Sequence, residues 1–598
     1  MDRSSILRFL AIGGLVFLFL QFVYPKIAGT DGPKMQPIPK EGLAAAASRP
    51  KEETCKLKGP RFSAELSSRG ASLLHFWPEG QKYTLDGRPT TQAMDLVTTP
   101  DHETRRPLRT ELRAPGADSQ VQFDLLDWKV ASRSEAECAF VYEDEKVVLK
   151  KSVRSNARAF ELEVDLTVTN KLPETARHRA SIETNAWRYD KDIAGGLGRQ
   201  SPFLTQVECG KIDKVIEKTP SDFAPKDFGK PEFKNGWFQV TEATAWVATS
   251  NFYFAQALVP LAGPGAPICE LQIEDRWFTD KFPSKKDDKD HGGSFYRSRL
   301  TWPTQDLAPS ATATYKTLQY MGPKEREVLA TAGGGNAHLS ELIHLGFFSF
   351  IAKYLVGFLV WAHKMVGSWG VAIILLTLMV RTVLFPLTWK TIKSGAKMRQ
   401  MKPEIDALNE KYADDAQQKQ LATMELWKKH GVNPVAGCAP MLVQMPVWFA
   451  LYTSIQTAAE LFHTPFLWFH DLSAPDTIKV GTFEVPFLLP LALGATTFIQ
   501  QKIMPQQMDP AQQKMMTYVM PLVFTAMMLF LPSGLGVYMF TNSILGIVQQ
   551  LAVERYYASQ AAAAGAGDVV VRDVTKDDDD ENGKKKSGSA LGKGDARV

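Results

Sequence analysis

The sequence has little net charge of either sign. Its 598 residues include 69 lysine and arginine residues against 65 aspartate and glutamate residues, which leaves a formal charge of +4. The basic residues do not gather into one dominant patch. The sequence therefore gives no argument for sequence-specific nucleic-acid binding.

Sequence motifs of catalysis are missing as well. The chain contains no GxxxxGK loop followed by Ser or Thr, no GxSxG and no HExxH. Its histidines, among them His75, His102, His178 and His291, form no metal-binding pattern. We predict that the protein is not an enzyme and that it uses no cofactor or metal ion.

Cysteines are few, and four of the five lie in the middle of the chain. Cys55, Cys138, Cys209 and Cys269 have spacings that match neither a zinc site nor a CxxC redox pair. The spacing favours buried or unpaired thiols, and one or two disulfides are the alternative in an oxidising compartment. Cys438 falls in an apolar segment, where we expect it only to pack.

Hydrophobic residues make up 44% of the chain but are unevenly distributed. They gather in one short N-terminal stretch and in long blocks after about residue 345, while the middle reads as soluble. This pattern predicts a membrane protein with a large water-facing insertion.

The N-terminal apolar stretch runs from Phe9 to Val23 and follows Arg3 and Arg8. No small-x-small cleavage site follows promptly, which favours a membrane anchor over residues 1–25 rather than a cleaved signal peptide. By the positive-inside rule, the N-terminus is cytosolic and the following domain lies outside. Residues 26–55, rich in proline, glycine, alanine and lysine, predict a flexible linker.

Alternation of apolar and polar residues marks the middle of the chain. From Phe160 to Val168 every second residue is apolar, and similar segments recur up to Tyr320. Many such segments without a long helical period predict an antiparallel β-sandwich over residues 56–335. Residues 339–365 mix apolar with polar side chains in a pattern typical of an amphipathic helix at the membrane surface.

Five further spans are predicted over residues 366–556, which gives six transmembrane helices with the anchor. They comprise Trp369–Leu387, Pro434–Ala459, Phe487–Ile503 and a block from Met515 to Tyr556 that breaks at Pro532, Ser533 and Gly534.

A charged helical hairpin is predicted over residues 388–433, interrupted at Ala413, Asp414 and Asp415. Nine basic residues lie from Lys390 to Lys429, whereas Lys479 is the only one from Glu460 to Pro486. The hairpin is therefore expected in the cytosol and the second loop outside. Residues 557–598 are expected to form a disordered cytosolic tail.

Arg381 is the residue that most needs an explanation. It lies twelve residues into its span, about 18 Å from Trp369 at ~1.5 Å per residue, and thus past the midplane. An arginine at the centre of a helix in lipid costs roughly 2.5 to 3.5 kcal/mol, which favours an orientation toward the bundle interior or a wet cavity. Snorkelling of the side chain to the cytosolic interface is the alternative.

Other polar residues in the spans are uncharged, and almost no acid accompanies Arg381. Thr377 lies one turn earlier on the same face, and other spans supply Gln444, Gln500 and Tyr538. A buried cation without a resident counter-ion suits a transient partner, such as an acidic residue of a passing polypeptide. Fourteen of the nineteen methionines lie between Met379 and Met539, which suits varied apolar partners or ordinary lipid-facing filler.

The membrane part closely resembles the YidC insertase family, the bacterial branch of the Oxa-type insertases. Four stretches carry the resemblance: TLMVRTVLFPLTWK from Thr377, VNPVAGCAPMLVQMPVWFALY from Val432, WFHDLSAPD from Trp468 and PSGLGVYMFTNSILGIVQQ from Pro532. It implies a five-helix insertase core around a hydrophilic groove that is open to the cytosol and to lipid. Arg381 matches the family's groove arginine, and Thr377 and Tyr538 match substrate-contacting positions.

The resemblance also implies function and partners. It implies an inner-membrane insertase and chaperone for nascent membrane proteins, acting alone or with the Sec translocon (SecYEG) and SecDF, in contact with membrane lipids and with ribosomes. Two departures stand out. Met539 replaces an aromatic residue of some members, and the tail from Ala561 carries seven basic against eight acidic residues. Ribosome docking is therefore expected to rest on the cytosolic loops.

Two other functions compete with insertion. An intramembrane arginine also suits a secondary transporter for an anionic solute, which predicts an internal repeat and interrupted helices in corresponding halves. The sequence has neither. A second alternative makes the outer domain an enzyme or a sugar-binding module, since the family's outer domain looks like carbohydrate-binding sandwiches.

Overall fold

A computed structural model covers the chain. It describes residues 36–37, 49–85, 92–101, 103–113, 127–189, 203–211, 213–223, 227, 229–234, 236–277, 292–412, 415–430, 439–480, 483–503, 515–528 and 531–563. The predicted anchor, most of the linker, Ala413 and Asp414, and the tail from residue 564 lie outside these ranges.

Two large sheets form the middle of the chain. The first has nine strands, in spatial order Val215–Lys218, Gln206–Gly210, Trp246–Ser250, Phe254–Ala262, Thr312–Pro323, Glu161–Asn170, Val147–Ser155, Glu137–Glu143 and Lys129–Arg133. The second runs in the order Phe233–Lys234, Trp237–Val240, Ile268–Trp277, Gly292–Thr301, Ala176–Tyr189 and Gln305–Leu307, with Arg109–Arg113 and Gln36–Pro37 paired alongside. A smaller sheet comprises Thr54–Gly59, Phe62–Ser67 and Ser72–Pro78.

The predicted β-sandwich is confirmed, and its core follows from the alternation in the sequence. In the strand Glu161–Asn170, the apolar residues Leu162, Val164 and Leu166 are fully buried. The pairings are antiparallel except for Gln36–Pro37, which runs parallel to Arg276 and Trp277. Glu161, one of the polar residues of this alternation, is buried as well, and its carboxylate accepts hydrogen bonds from the Arg158 side chain and the Gly333 amide.

The expectation of unpaired cysteines is wrong. Cys55 is disulfide-bonded to Cys138, and Cys209 to Cys269, with Cα–Cα distances of 6.0 and 6.2 Å. Each pair joins strands far apart in sequence, by 83 and 60 residues, so sequence spacing carried no sign of the pairing. Both bonds lie in the buried core of the sandwich.

The second sheet buries charges on one of its faces. Arg297 donates from Nε to Glu183 at 2.7 Å, and Arg299 donates from Nη1 to Glu111 at 2.8 Å. The ring of Trp237 lies against both guanidinium groups, 4.4 and 3.6 Å from its centroid. Burial alone would raise the pKa of Glu183, but the Arg297 guanidinium lowers it to about 2.

The helices follow the sandwich in the chain. They are α1 (Arg326–Thr331), α2 (Ser349–Val366), α3 (Trp369–Gln400), α4 (Lys402–Lys411), α5 (Ala416–Lys429), α6 (Ala439–Gln456), α7 (Leu488–Ile503), α8 (Met520–Met527, preceded by a π-helical turn at Met515–Val519) and α9 (Ser533–Ala563). A short hairpin, Thr477–Val480 with Phe483–Pro486, precedes α7.

Two helical segments among the described residues are long and apolar enough to cross a membrane. They are Trp369–Trp389 and Ser533–Tyr556, with mean hydropathies of 2.2 and 1.2, and Met515–Met527 is apolar but shorter. Helices α4 and α5 occupy the predicted charged hairpin. Helix α9 continues to Ala563, so the first residues of the segment expected to be disordered are helical.

The loop between α6 and α7, residues 457–487, touches both the sandwich and the helix bundle. Glu460 accepts hydrogen bonds from the amide and Nη1 of Arg326 at 2.9 and 2.7 Å. Phe462 packs against Tyr253 and Phe254 of the sandwich. In the same loop, the Ala474 carbonyl accepts a hydrogen bond from the amide of Ser533, the first residue of α9. The sandwich therefore rests on the end of the bundle where α9 begins.

Candidate functional site

The helix bundle is closely packed at the end next to the sandwich and more open at the other end. In α9 every residue from Ser533 to Tyr538 is buried, whereas Met539 and most later residues are partly exposed. Helix α3 follows the same gradient, with Thr377 fully buried and Val383 well exposed. Arg381 lies where the packed part of the bundle gives way to the open part.

Neutral groups of α9 hold the side chain of Arg381. Its Nε donates to Asn542 Oδ1 and its Nη2 to the Asn542 carbonyl, both at 2.6 Å, and its Nη1 donates to Gln549 Oε1 at 3.4 Å. The side chain is therefore turned toward α9, inside the bundle. Its oxygen partners are all uncharged.

Arg381 has no carboxylate partner within the part of the chain that the structure describes. A guanidinium group has five N–H donors and stays charged, so uncharged acceptors satisfy its hydrogen bonds without neutralising it. A net positive charge thus remains at the start of the open part of the bundle. That charge can attract an anionic group of a visiting chain.

Tyr538 and Gln444 connect α9 with α6. Gln444 Nε2 donates to the Tyr538 hydroxyl at 2.5 Å, and Tyr538 is almost fully buried. Thr377 does not face an opening, since it is fully buried and its hydroxyl donates to the Ile373 carbonyl at 2.7 Å. These residues close the packed side of the site beside Arg381.

Gln500 comes close to Arg381 across a glycine of α9. A Cβ atom added to Gly546 would lie 2.8 Å from Arg381 Nη2 and 3.2 Å from Gln500 Nε2. The two nitrogens are therefore within about 6 Å of each other. The structure thus brings Arg381 and Gln500 together, and Gly546 provides the space that both side chains use.

Gly546, Gln549 and Asn542 were not predicted as site residues from the sequence. With Tyr538 they form a series at positions 538, 542, 546 and 549, spaced four, four and three residues apart. This spacing places all four on one face of a helix. A search for polar or small residues along one helical face would have found them.

A cavity of about 510 Å³ opens between α3 and α9 beside Arg381. Its wall is mostly apolar and aromatic, and its polar members include Arg381, Thr382 and Gln549. Gln549 Nε2 is buried and has no hydrogen-bond partner among the described residues. The cavity therefore combines an apolar wall with the polar side chains of Arg381 and Gln549. This combination suits an amphipathic polypeptide segment.

The described residues contain no group of three or more histidine, cysteine, aspartate or glutamate side chains placed to hold a metal ion. The polar groups around Arg381 are hydrogen-bond donors and acceptors without a nucleophile and base in contact. This arrangement is suited to binding.

Two family models match the chain. One, described as YidC periplasmic domain, matches residues 54–358, and one described as 60Kd inner membrane protein matches residues 361–560. The boundary between them falls within α2, at the junction of sandwich and bundle.

Curated relatives match most of the chain. The protein named Membrane protein insertase YidC from Anaeromyxobacter dehalogenans strain 2CP-C is 33% identical over 510 residues, which cover 83% of this chain and 84% of the relative. A protein of the same name from Pelobacter propionicus is 42% identical over 314 residues, covering 52% of this chain and 54% of the relative.

Among solved structures, a putative aldose 1-epimerase from Escherichia coli K12 is 14% identical, with a TM-score of 0.30. The matched region covers 46% of this chain and 100% of the epimerase chain. A likeness at this level carries no argument about function.

Proposed function

Because the chain belongs to the YidC family of membrane protein insertases, we propose that the helices around Arg381 form the groove through which it inserts its clients. The protein is an inner-membrane protein with a periplasmic β-sandwich domain, and its substrates are nascent membrane proteins. The family is one of insertases and not of catalytic enzymes.

One observation carries the groove proposal. Arg381 lies at the boundary between the packed and the open part of the bundle, and its hydrogen bonds within the described residues go to uncharged oxygens of α9. A resident carboxylate would neutralise the arginine and occupy its donors. The neutral partners leave the charge available to an acidic residue of the client.

The proposed mechanism has three steps. The α4–α5 hairpin receives the nascent segment, the groove takes its polar flank partway across the membrane, and the apolar segment then moves sideways into lipid past the cavity between α3 and α9. Each leucine or isoleucine of the client gains about 0.3 to 0.6 kcal/mol on insertion. The protein therefore needs only to lower the barrier for the polar flank.

The topology is part of the proposal. We propose six spans: an anchor over residues 1–25 and a five-helix core over residues 366–556, with both termini and the hairpin of residues 388–433 in the cytosol. We assign residues 26–55 to the linker, residues 56–335 to the periplasmic domain and residues 339–365 to the interfacial segment, in which the helix α2 begins only at Ser349. Residues 557–598 form the tail, although α9 continues to Ala563. The excess of basic residues in the hairpin supports this orientation.

We also propose the partners. The protein works alone or beside the Sec translocon and SecDF, and ribosomes dock on the cytosolic loops rather than on the tail. The tail's near balance of acidic and basic residues supports the second point, because ribosomal RNA attracts clusters of positive charge.

The groove can be tested by site-specific photocrosslinking in α7. A photoreactive amino acid at Gln500 lies beside Arg381, whereas one at Leu491, nine residues earlier and exposed, lies on the opposite face of the same helix. With a client stalled during insertion, we expect crosslinks from position 500 and few from position 491.

Two further readings decide the test. A probe at Gln444, which bonds to Tyr538, should also crosslink the stalled client. Equal crosslinking from positions 491 and 500 would show that clients use the outer surface of the bundle, and the groove proposal would then fail.

A further inference from the structure

A second cavity, of about 680 Å³, lies where the sandwich meets α2. It is lined by the tip of the strand hairpin at Asp213 and Lys214, by Arg326 of α1, by the segment from Ser340 to Leu345, and by one face of α2. Its volume is within the range of ~300 to 1,000 Å³ that is usual for ligand sites. It shares no residue with the cavity beside Arg381.

Side chains of both charges line this cavity. Lys214, Arg326 and Lys353 supply positive charge, and Asp213 and Glu341 supply negative charge. A ligand that matches this wall carries one cationic and one anionic group. A purely anionic or purely cationic ligand would meet like charge on part of the wall.

Two buried atoms of the wall have unused hydrogen-bonding capacity. Arg326 Nη2 and Glu341 Oε2 are both buried and have no hydrogen-bond partner among the described residues. Glu460 holds Arg326 in place, since its carboxylate accepts hydrogen bonds from the backbone amide and from Nη1 of Arg326. The Nη2 group does not take part in this pairing. An unsatisfied charged donor and an unsatisfied charged acceptor in one cavity favour a ligand that satisfies both.

Helix α2 has three faces, and two of them place the cavity next to an exposed apolar surface. One face packs on the bundle through Leu355 and Leu359. A second lines the cavity with Ser349, Lys353, Val356, Gly357 and Val360. The third exposes large apolar side chains, namely Phe350, Tyr354, Trp361 and Met365.

The exposed apolar face adjoins the cavity face around the helix. Aromatic and apolar side chains in such a position are typical of a helix lying in the headgroup region of a bilayer. A molecule whose charged head enters the cavity can therefore lay its apolar part along the exposed face. A phospholipid has this combination of a charged headgroup and apolar chains.

We propose that the cavity binds the headgroup of a zwitterionic phospholipid that carries a primary ammonium group, from the leaflet facing the sandwich. Arg326, with Lys214 and Lys353, binds the phosphodiester, and Glu341, with Asp213, accepts from the ammonium. The bound lipid holds the periplasmic domain at a fixed height on the bilayer. This site is independent of the groove around Arg381.

Native mass spectrometry of the full-length protein, with three phospholipids of identical acyl chains, tests the proposal. Phosphatidylethanolamine has both required groups, phosphatidylcholine has no N–H donor, and phosphatidylglycerol has no cation. We expect phosphatidylethanolamine to be retained at least about tenfold better than either, as the loss of one hydrogen bond between charged groups implies.

Three variants define the result. Glu341→Gln should abolish the preference for phosphatidylethanolamine over phosphatidylglycerol, and Asp213→Asn, at an exposed turn where misfolding is not expected, should reduce it. Glu145→Gln, an exposed glutamate elsewhere on the sandwich, is the matched control and should change nothing. Equal retention of the three lipids by the unaltered protein, or an unchanged preference in both cavity variants, would overturn the proposal.

Discussion

Gly546 controls how closely the guanidinium group of Arg381 approaches α9. Any larger residue at this position places a Cβ atom 2.8 Å from Arg381 Nη2, closer than a Cβ atom approaches a nonbonded heavy atom. The flexible arginine side chain can move away, so the fold should tolerate the change. The hydrogen bonds to Asn542 would be lengthened or lost.

We therefore expect Gly546→Ala to accumulate normally in the membrane but to insert a client with an acidic external tail about tenfold more slowly. Hydrogen bonds to charged groups contribute roughly 1.5 to 3 kcal/mol each, and the lower end of that range corresponds to about tenfold. The measurement is the initial rate of protease protection of the client. Gly229→Ala, in the sandwich, is the control, because its added Cβ meets no atom within 4 Å, and an equal loss in both variants would refute the effect of Gly546.

Individual residues differed in how far the sequence could predict them. The cost of an arginine in lipid predicted that Arg381 turns inward, and its bonds to α9 confirm that orientation. The disulfides could not be predicted, because the distance between two cysteines in space depends on the register of strands from distant parts of the chain. Whether Arg381, Thr377, Tyr538, Gln444 and Gln500 bind substrate stays a prediction.

Among the elements, the segment between α1 and α2 determines how the sandwich sits on the bundle. His344 in this segment donates from Nε2 to Glu208 at 2.8 Å and from Nδ1 to Glu217 at 2.9 Å. Burial lowers the pKa of His344, as does nearby Lys324, but the two carboxylates outweigh both and raise it to about 9. The imidazolium form therefore ties the segment to the first sheet.

This contact predicts a dependence of stability on pH. Since the folded-state pKa lies above the ordinary value of about 6.5, the stabilisation is fully present below pH ~6.5 and is lost as the pH rises through about 9. Its upper limit is about 3.5 kcal/mol, for a pKa raised from 6.5 to about 9 at ~1.4 kcal/mol per pKa unit.

The check is hydrogen exchange of residues 340–348 in the full chain, compared between the unaltered protein and His344→Gln. Protection should differ most at pH 6 and converge above pH 9. A difference that stays constant across this range would mean that the charge of His344 plays no part.

Element types were predictable wherever periodicity was strong. The alternation around Leu162 predicted a strand, and the apolar block from Trp369 predicted a helix, because burial of one face or of a whole span imposes that pattern. Helix ends were less predictable, as the extension of α9 to Ala563 shows. The polar stripe of α9 was overlooked because its members differ in residue type, although their spacing is helical.

At the scale of the whole molecule, the sandwich, the loop of residues 457–487 and the bundle form one connected body. Salt bridges from Arg326 to Glu460 and from Lys364 to Glu327 join the parts across the junction. The contacts gather at the packed end of the bundle, which leaves the open end and Arg381 free of the periplasmic domain. The docking of the sandwich on the bundle could not be predicted from the sequence, because its contacts join distant parts of the chain. In one of them, His463 Nδ1 contacts the Lys82 carbonyl.

Insertion by a positively charged groove is the central claim, and replacement of Arg381 by Ala or by Lys tests it most directly. The experiment depletes the unaltered protein from cells and scores protease protection of a short client with an acidic or a neutral external tail. We predict that Arg381→Ala blocks the acidic client, that Arg381→Lys largely retains it because the charge remains, and that the neutral client is much less affected. Normal insertion of the acidic client by both variants would contradict the account.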